Sequence, residues 1–187
     1  MSEQLSGHWT DNFRSPAALA RFVLVMAVGL ALDLWTKALA ETHLRDAEPV
    51  RFIHGWLHFT YTENRGAVFG IGQGQRPLFL VVSVIAIGFL TYLFATSGRQ
   101  RYYQFVLVML LAGVLGNLYD RYHFGYVRDM IHAVPRWPNA FPWIFNVADS
   151  FLCVGIFFMI VYSLLFAPQP PGEPGPPRDE ASTSPLT

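Results

Sequence analysis

Hydrophobic residues in this chain gather into four long blocks, at positions 22–40, 77–96, 102–118 and 145–166, each nearly free of charge. A helix advances about 1.5 Å per residue, so roughly 20 apolar residues cross a hydrocarbon layer of about 30 Å. Each block is close to that length. A helix on the outside of a water-soluble bundle carries polar residues every three or four positions, whereas the run 77–90 offers water no face. Four buried helices in so small a soluble chain would leave nothing to cover them. The pattern therefore predicts four transmembrane helices and an all-α membrane protein, a four-transmembrane-helix bundle.

The connections differ in length. Positions 41–76 form a long one, and within it 51–62 is rich in aromatic and β-branched residues with partial alternation, which predicts short strands and a small β-sheet in this first long loop. Trp56, Phe59 and Tyr61 suit the membrane–water boundary, so the sheet is expected to rest on the bilayer surface. The turn at 97–101 is short, and 119–144 form a second sizeable loop. Two spans separate the long loops, so both emerge on one face of the membrane. Positions 1–16 are expected to be a flexible N-terminal segment and 17–166 the membrane domain, while the Pro- and Gly-rich stretch 167–187 is expected to be a disordered tail. The first block outruns a cleavable leader and carries Asp33 and Lys37 without a small-residue cleavage signature, so it is expected to stay in the protein.

Composition agrees. Of 187 residues 52% are hydrophobic and only 14% charged, against about 25% in soluble domains. Thirteen basic and thirteen acidic residues cancel, which removes bulk attraction to nucleic acid as a function. The single cysteine, Cys153, excludes an internal disulfide and a Cys-based zinc site, and inside an apolar run it reads as inert packing. Arg14, Arg21, Arg99 and Arg101 flank one side, while Arg45, Arg51, Arg65, Arg76, Arg121, Arg128 and Arg136 lie in the long loops. Counting alone would put those loops in the cytoplasm, yet several of their arginines sit beside acids, so the charges leave orientation open.

A charge at the centre of a membrane helix costs about 2.5 to 3.5 kcal/mol, which makes each one a functional candidate. Asp33 and Lys37 are four apart, on one helical face, where they can pair. Asp120, beside Arg121, reads either as a solvated interfacial charge or as part of a site. Asp129 sits among apolar residues. Asp149 opens the fourth block with no lysine or arginine in that helix, and either it or Asn146 could simply cap the helix. All four aspartates, with the segment 64–70, approach the face that carries the long loops. That gathering defines a candidate site.

Two carboxylates in a poorly hydrated pocket cannot both ionise cheaply, so one keeps a proton. Such a pair can hydrolyse an amide, with the ionised partner taking a proton from water and the neutral one polarising the carbonyl. Neighbouring Asn and Arg donors can hold the substrate backbone and the developing oxyanion. Other chemistries fit less well. Ser83, Ser97 and Ser150 have no implied histidine base, and His54 and His58 lie in a strand-like segment that need not present both to one metal. A proton or ion transport protein using the same acids is the alternative, although no continuous polar stripe runs along the spans.

The motifs Asp33-Leu-Trp-Thr-Lys37, Asn64-Arg-Gly-Ala-Val-Phe69, Gly116-Asn-Leu-Tyr-Asp-Arg121, Gly125-Tyr-Val-Arg-Asp129 and Phe145-Asn-Val-Ala-Asp-Ser150, in this order, resemble those of the lipoprotein signal peptidases (signal peptidase II), bacterial membrane aspartyl peptidases. The resemblance spans about residues 20–166. It implies a catalytic pair at Asp129 and Asp149 and substrate- or inhibitor-contacting residues at Asn64, Asn117, Arg121 and Asn146. Supporting roles fall to Asp33, Lys37, Gly66 and Asp120. It further implies an inner-membrane, multi-pass protein with both termini cytoplasmic, the long loops extracytoplasmic and the active site near that outer face. The implied partners are diacylglyceryl-modified prolipoproteins, cut on the amino side of the lipidated cysteine, and membrane lipids. The enzyme is expected to act as a monomer, without metal or organic cofactor, and to be inhibited by globomycin-type cyclic peptides. Val68 and Met130 depart from the family pattern, which has Ala and Phe there.

Overall fold

The computed structural model describes residues 15–66, 72–98, 100–133 and 143–166. The segment 1–14, the tail 167–187 and Val68 lie outside the described residues. Helix α1 (Pro16–Leu44) leads to strands β1 (Val50–Ile53) and β2 (Leu57–Asn64). Helices α2 (Arg76–Thr96) and α3 (Arg101–His123) follow, then β3 (Val127–Ala133), β4 (Ile144–Phe145) and α4 (Val147–Phe166). Each of the four helices is long and apolar enough to cross a membrane. Their outward faces carry exposed apolar side chains such as Leu24, Ile85, Phe157 and Leu164, a surface suited to lipid and not to water. Cys153 lies on this outer surface and not in the packed interior.

Local chemistry sets the helix ends. Ser15 caps α1 by accepting from the Ala18 amide at 3.4 Å, and Pro16 occupies a first-turn position whose missing N–H costs nothing. Helix α3 runs five residues beyond the apolar block, to His123, and so carries Asp120 and Arg121 on helix where a loop was expected. Hydrophobicity runs out there before the backbone hydrogen bonding does. The helix stops at Phe124 and Gly125, whose φ of +83° is the left-handed conformation that glycine adopts without strain.

Helix α3 is the hub of the bundle. Of its apolar window 56% is buried, against at most 17% in the other three helices. It packs on α1, α2 and α4. Small residues permit the close approach: a Cβ at Gly113 would lie 2.7 Å from the Ala148 carbonyl oxygen, and one at Gly116 would collide with the Asp33 carboxylate.

The strands form one antiparallel sheet in the order β1-β2-β3-β4. It draws strands from both long connections, not from the first alone, because β2 pairs with β3 across them. Strand β3 escapes a pattern reading because its short span, Val127–Ala133, mixes charged and apolar residues without clear alternation. Opposite residues share a face, so the pairs Thr62↔Asp129 and Asn64↔Val127 put Asn64 and Asp129 on one face as diagonal neighbours. Arg128 points to the other face.

Gly116→Ala is expected to destabilise the folded protein by about 1–3 kcal/mol through overpacking against Asp33. Gly88→Ala, where a Cβ meets nothing within 4 Å, should leave stability unchanged or slightly raised. Thermal unfolding in detergent compares the two.

Candidate active site

The start of α4 organises the site. Asn146 is its N-cap and Asp149 its third residue, and they cap each other: the Asp149 amide donates to Asn146 Oδ1 at 2.9 Å, and the Asn146 amide donates to Asp149 Oδ2 at 3.3 Å. Capping and membership of a site are thus not alternatives. A second cap comes from α1, where Asp33 Oδ1 accepts from the Ala148 amide at 2.8 Å. Two of the first-turn N–H groups of α4 are satisfied this way, one locally and one by a residue 115 positions earlier.

Asp129 approaches from β3 and is buried beside this helix start. Its Oδ2 accepts from Asn64 Nδ2 at 3.0 Å and its Oδ1 from Asn146 Nδ2 at 2.6 Å. The Asn146 amide also donates to Asn117 Oδ1 at 3.2 Å, and Asn117 Nδ2 donates to Asp149 Oδ1 at 2.8 Å. Two carboxylates are therefore joined through two asparagine amides. Burial, and next the neighbouring Asp149 carboxylate, raise the Asp129 pKa to about 7, although the Asn64 and Asn146 donors pull the other way. The native chain keeps this proton to a higher pH than the unfolded chain does. Asp129 therefore contributes a loss of stability as pH rises from the ordinary carboxylate range through about 7.

Behind the amides lies a buried ionic layer. Lys37 Nζ sits 2.7 Å from Asp33 Oδ2, 3.7 Å from Asp120 Oδ2 and 3.0 Å from Asn117 Oδ1, to which it donates. Lys37, Asp33 and Asp120 are all fully buried. Asp120 is thus no solvated interfacial charge. Its partner is Arg128, not the adjacent Arg121: Nη2 donates to Oδ1 at 2.7 Å, and Nε and the backbone amide donate to Oδ2 at 3.1 and 2.9 Å. Consecutive residues on a helix point about 100° apart, so Arg121 turns away. Its Nη2 donates to the Gly66 carbonyl at 3.0 Å and its guanidinium lies 4.9 Å from the Phe79 ring. The Gly66 amide in turn donates to Asn64 Oδ1 at 2.9 Å, which fixes the orientation of the amide facing Asp129.

All ten candidate residues, Asp33, Lys37, Asn64, Gly66, Asn117, Asp120, Arg121, Asp129, Asn146 and Asp149, thus belong to one connected network. Met130, which departs from the family pattern, is buried beside Asp129. Three further participants were not among the candidates read from the sequence. Arg128 donates from Nη1 to Glu41 Oε2 at 2.9 Å, and Glu41 accepts from Arg45 at 3.1 Å. For Glu41 and Arg45 a signal was present: Asp33, Lys37, Glu41 and Arg45 recur every four residues with alternating sign, a charged stripe along α1 and its C-cap. His58 and His132 face each other across β2 and β3, with ring centroids 6.3 Å apart, and stand apart from this network.

Four membrane-length helices around a carboxylate pair, Asp129 buried and Asp149 half-buried, roofed by a small sheet, define a polytopic membrane protein with an acid-rich site at one end of the bundle. The family model for signal peptidase (SPase) II matches residues 25–165, and the chain belongs to that family of peptidases. The chain is 37% identical over 144 residues to a lipoprotein signal peptidase of Caldanaerobacter subterraneus, covering 77% of this chain and 95% of that one. With a lipoprotein signal peptidase of Streptococcus pyogenes it shares 38% over 141 residues, 75% of this chain and 90% of the other. Two solved structures described as bacterial membrane enzymes are also similar. One has a TM-score of 0.73 at 30% identity, covering 78% of this chain and 88% of its own. The other has a TM-score of 0.69 at 28% identity, covering 80% and 95%.

Removing one member of a buried ion pair strands its partner, so Lys37→Met is expected to destabilise the fold by about 3–5 kcal/mol. Thermal unfolding in detergent measures it. Arg65→Gln, which removes a largely exposed ion pair with Glu63, should change stability by less than about 1 kcal/mol.

Proposed function

We propose that the chain is an aspartic endopeptidase that removes signal peptides from diacylglyceryl-modified prolipoproteins, cutting on the amino side of the lipidated cysteine. The observation that carries this reading is the junction of Asp129 and Asp149 through the Asn146 and Asn117 amides, buried at its Asp129 end, where the bundle meets the sheet. Membership of the signal peptidase II family, and relatives that are lipoprotein signal peptidases, support the substrate class.

In the proposed reaction the two carboxylates share one proton. The ionised member takes a proton from a water molecule as its oxygen attacks the scissile carbonyl carbon, while the protonated member gives its proton to the carbonyl oxygen. A neutral tetrahedral diol results. The C–N bond then breaks as the dyad returns one proton to the departing nitrogen and accepts one from a diol hydroxyl. The signal peptide leaves with a new carboxyl end and the cysteine with a free amine, and the dyad again holds a single proton. Asn64, Asn117, Asn146 and Arg121 are the groups at hand to hold the peptide and the developing oxygen charge. The reading places the sheet and dyad at the extracytoplasmic face of a bacterial inner membrane, with both termini cytoplasmic. There the acyl chains of the precursor stay in lipid while its peptide reaches the aspartates. One chain supplies every group named, so a monomer suffices.

Asp129→Asn and Asp149→Asn keep side-chain shape and remove the titrating group, and each should lower processing by at least about 100-fold with insertion intact. A gel-shift assay of a lipidated precursor reads this, and full activity in either variant overturns the reading. Loss of the shared proton as pH rises through about 7 should make kcat/KM fall, approaching about tenfold per pH unit in the alkaline limb. A profile that stays flat to pH 9 or so would assign the acid to another group.

A further inference from the structure

At the end of the bundle opposite the sheet, α1 and α3 leave a gap. A cavity of about 100 Å³ beside their first turns is lined by Arg21 and Arg101 above Phe22 and Phe94. A second cavity, of about 260 Å³, lies deeper, bounded by Val28, Gly29, Met109, Ala112 and Phe151. The two share Leu24, Val25 and Phe105, so they form one groove with a cationic mouth and an apolar floor. From Arg101 to Ala112 the groove rises about 16 Å, close to half of a hydrocarbon layer of about 30 Å.

Its mouth sits at headgroup depth. Tyr102 and Tyr103 stack on Tyr162, whose hydroxyl donates to Gln100 Oε1 at 2.9 Å, a cluster of the kind that marks the membrane–water boundary. Both arginines are exposed, and among the described residues no carboxylate pairs with either. At the sheet end, by contrast, Arg45, Arg65 and Arg128 are each matched to an acid. Among the described residues the mouth therefore carries positive charge without a paired acid, next to an apolar trough.

We infer that this groove binds one anionic glycerophospholipid of the leaflet at the end of the bundle opposite the sheet, its phosphate held by Arg21 and Arg101 and one acyl chain laid between α1 and α3. Paired guanidinium groups match a phosphate, and basic pockets between membrane helices are suited to anionic headgroups. A zwitterionic lipid would bring its own cation to the same two arginines. Because α1 and α3 carry Asp33, Lys37, Asn117 and Asp120, a lipid that bridges them stabilises the helix pair beneath the acidic site, as any ligand specific to the folded state does.

Native mass spectrometry and thermal unfolding of the detergent-purified full chain test this, with palmitoyl-oleoyl phosphatidylglycerol and phosphatidylcholine as probes. Phosphatidylglycerol should bind as a single retained molecule and raise the melting temperature more than phosphatidylcholine does. Replacing both arginines, Arg21→Gln with Arg101→Gln, should weaken phosphatidylglycerol binding about 30-fold and erase the preference. The fold should survive, since among the described residues neither side chain has a carboxylate to strand. Val28→Trp, which fills the trough and keeps both charges, should also lose the retained lipid. Equal response to the two lipids, or a preference that persists without the arginines, overturns the headgroup assignment. Full retention in Val28→Trp overturns the acyl path.

Discussion

An ammonium group with no access to water must be surrounded by acceptors, and the position of Lys37 follows from that requirement. Its Nζ is shared among Asp33, Asp120 and Asn117, which belong to α1 and α3. Asp33 spends its other oxygen on the first turn of α4. One buried cation thereby couples three helices, and none of the three could shift by a turn without leaving a charge unpaired in a medium that punishes it. Lys37 also decides which way Asn117 faces. With Oδ1 committed to the ammonium and to Asn146, the amide nitrogen of Asn117 is left to meet Asp149.

The same economy governs the start of α4. Asn146 and Asp149 satisfy each other's backbone N–H groups and at the same time present side chains to Asp129 and Asn117. The helix end needs an oxygen acceptor and the candidate dyad needs a carboxylate, and one residue meets both demands. The site is accordingly rigid where the fold is rigid. Its remaining wall, Asn64 and Gly66, is held from the far side by Arg121, whose guanidinium also covers Phe79 at the start of α2.

The sheet brings the two long connections together. Pairing of β2 with β3 carries Asp129 to the mouth of the bundle and places Asn64 diagonally across from it. Alternation along β3 then sends the preceding residue, Arg128, to the opposite face, where it holds Asp120 and Glu41. Adjacent residues thus serve the candidate dyad on one side and the ionic layer on the other, which a helix could not arrange with a one-residue step.

Length and hydrophobicity alone determined the four spans, because lipid penalises exposed polar backbone and leaves the helix as the simple solution for each apolar block. Scarcity of charge likewise made Asp33, Lys37, Asp129 and Asp149 conspicuous, since a charge in such surroundings is rare unless it has work or a partner. Partners were another matter. That Asp120 belongs to Arg128 and not to its neighbour Arg121, that Glu41 joins the ionic layer, and that the sheet recruits β3 all depend on contacts between residues far apart in the chain. Hydrophobic pattern reports the preference of each residue for its solvent. Only the packed helices and the register of the sheet decide which polar groups meet, because that choice is made by distance and direction in three dimensions.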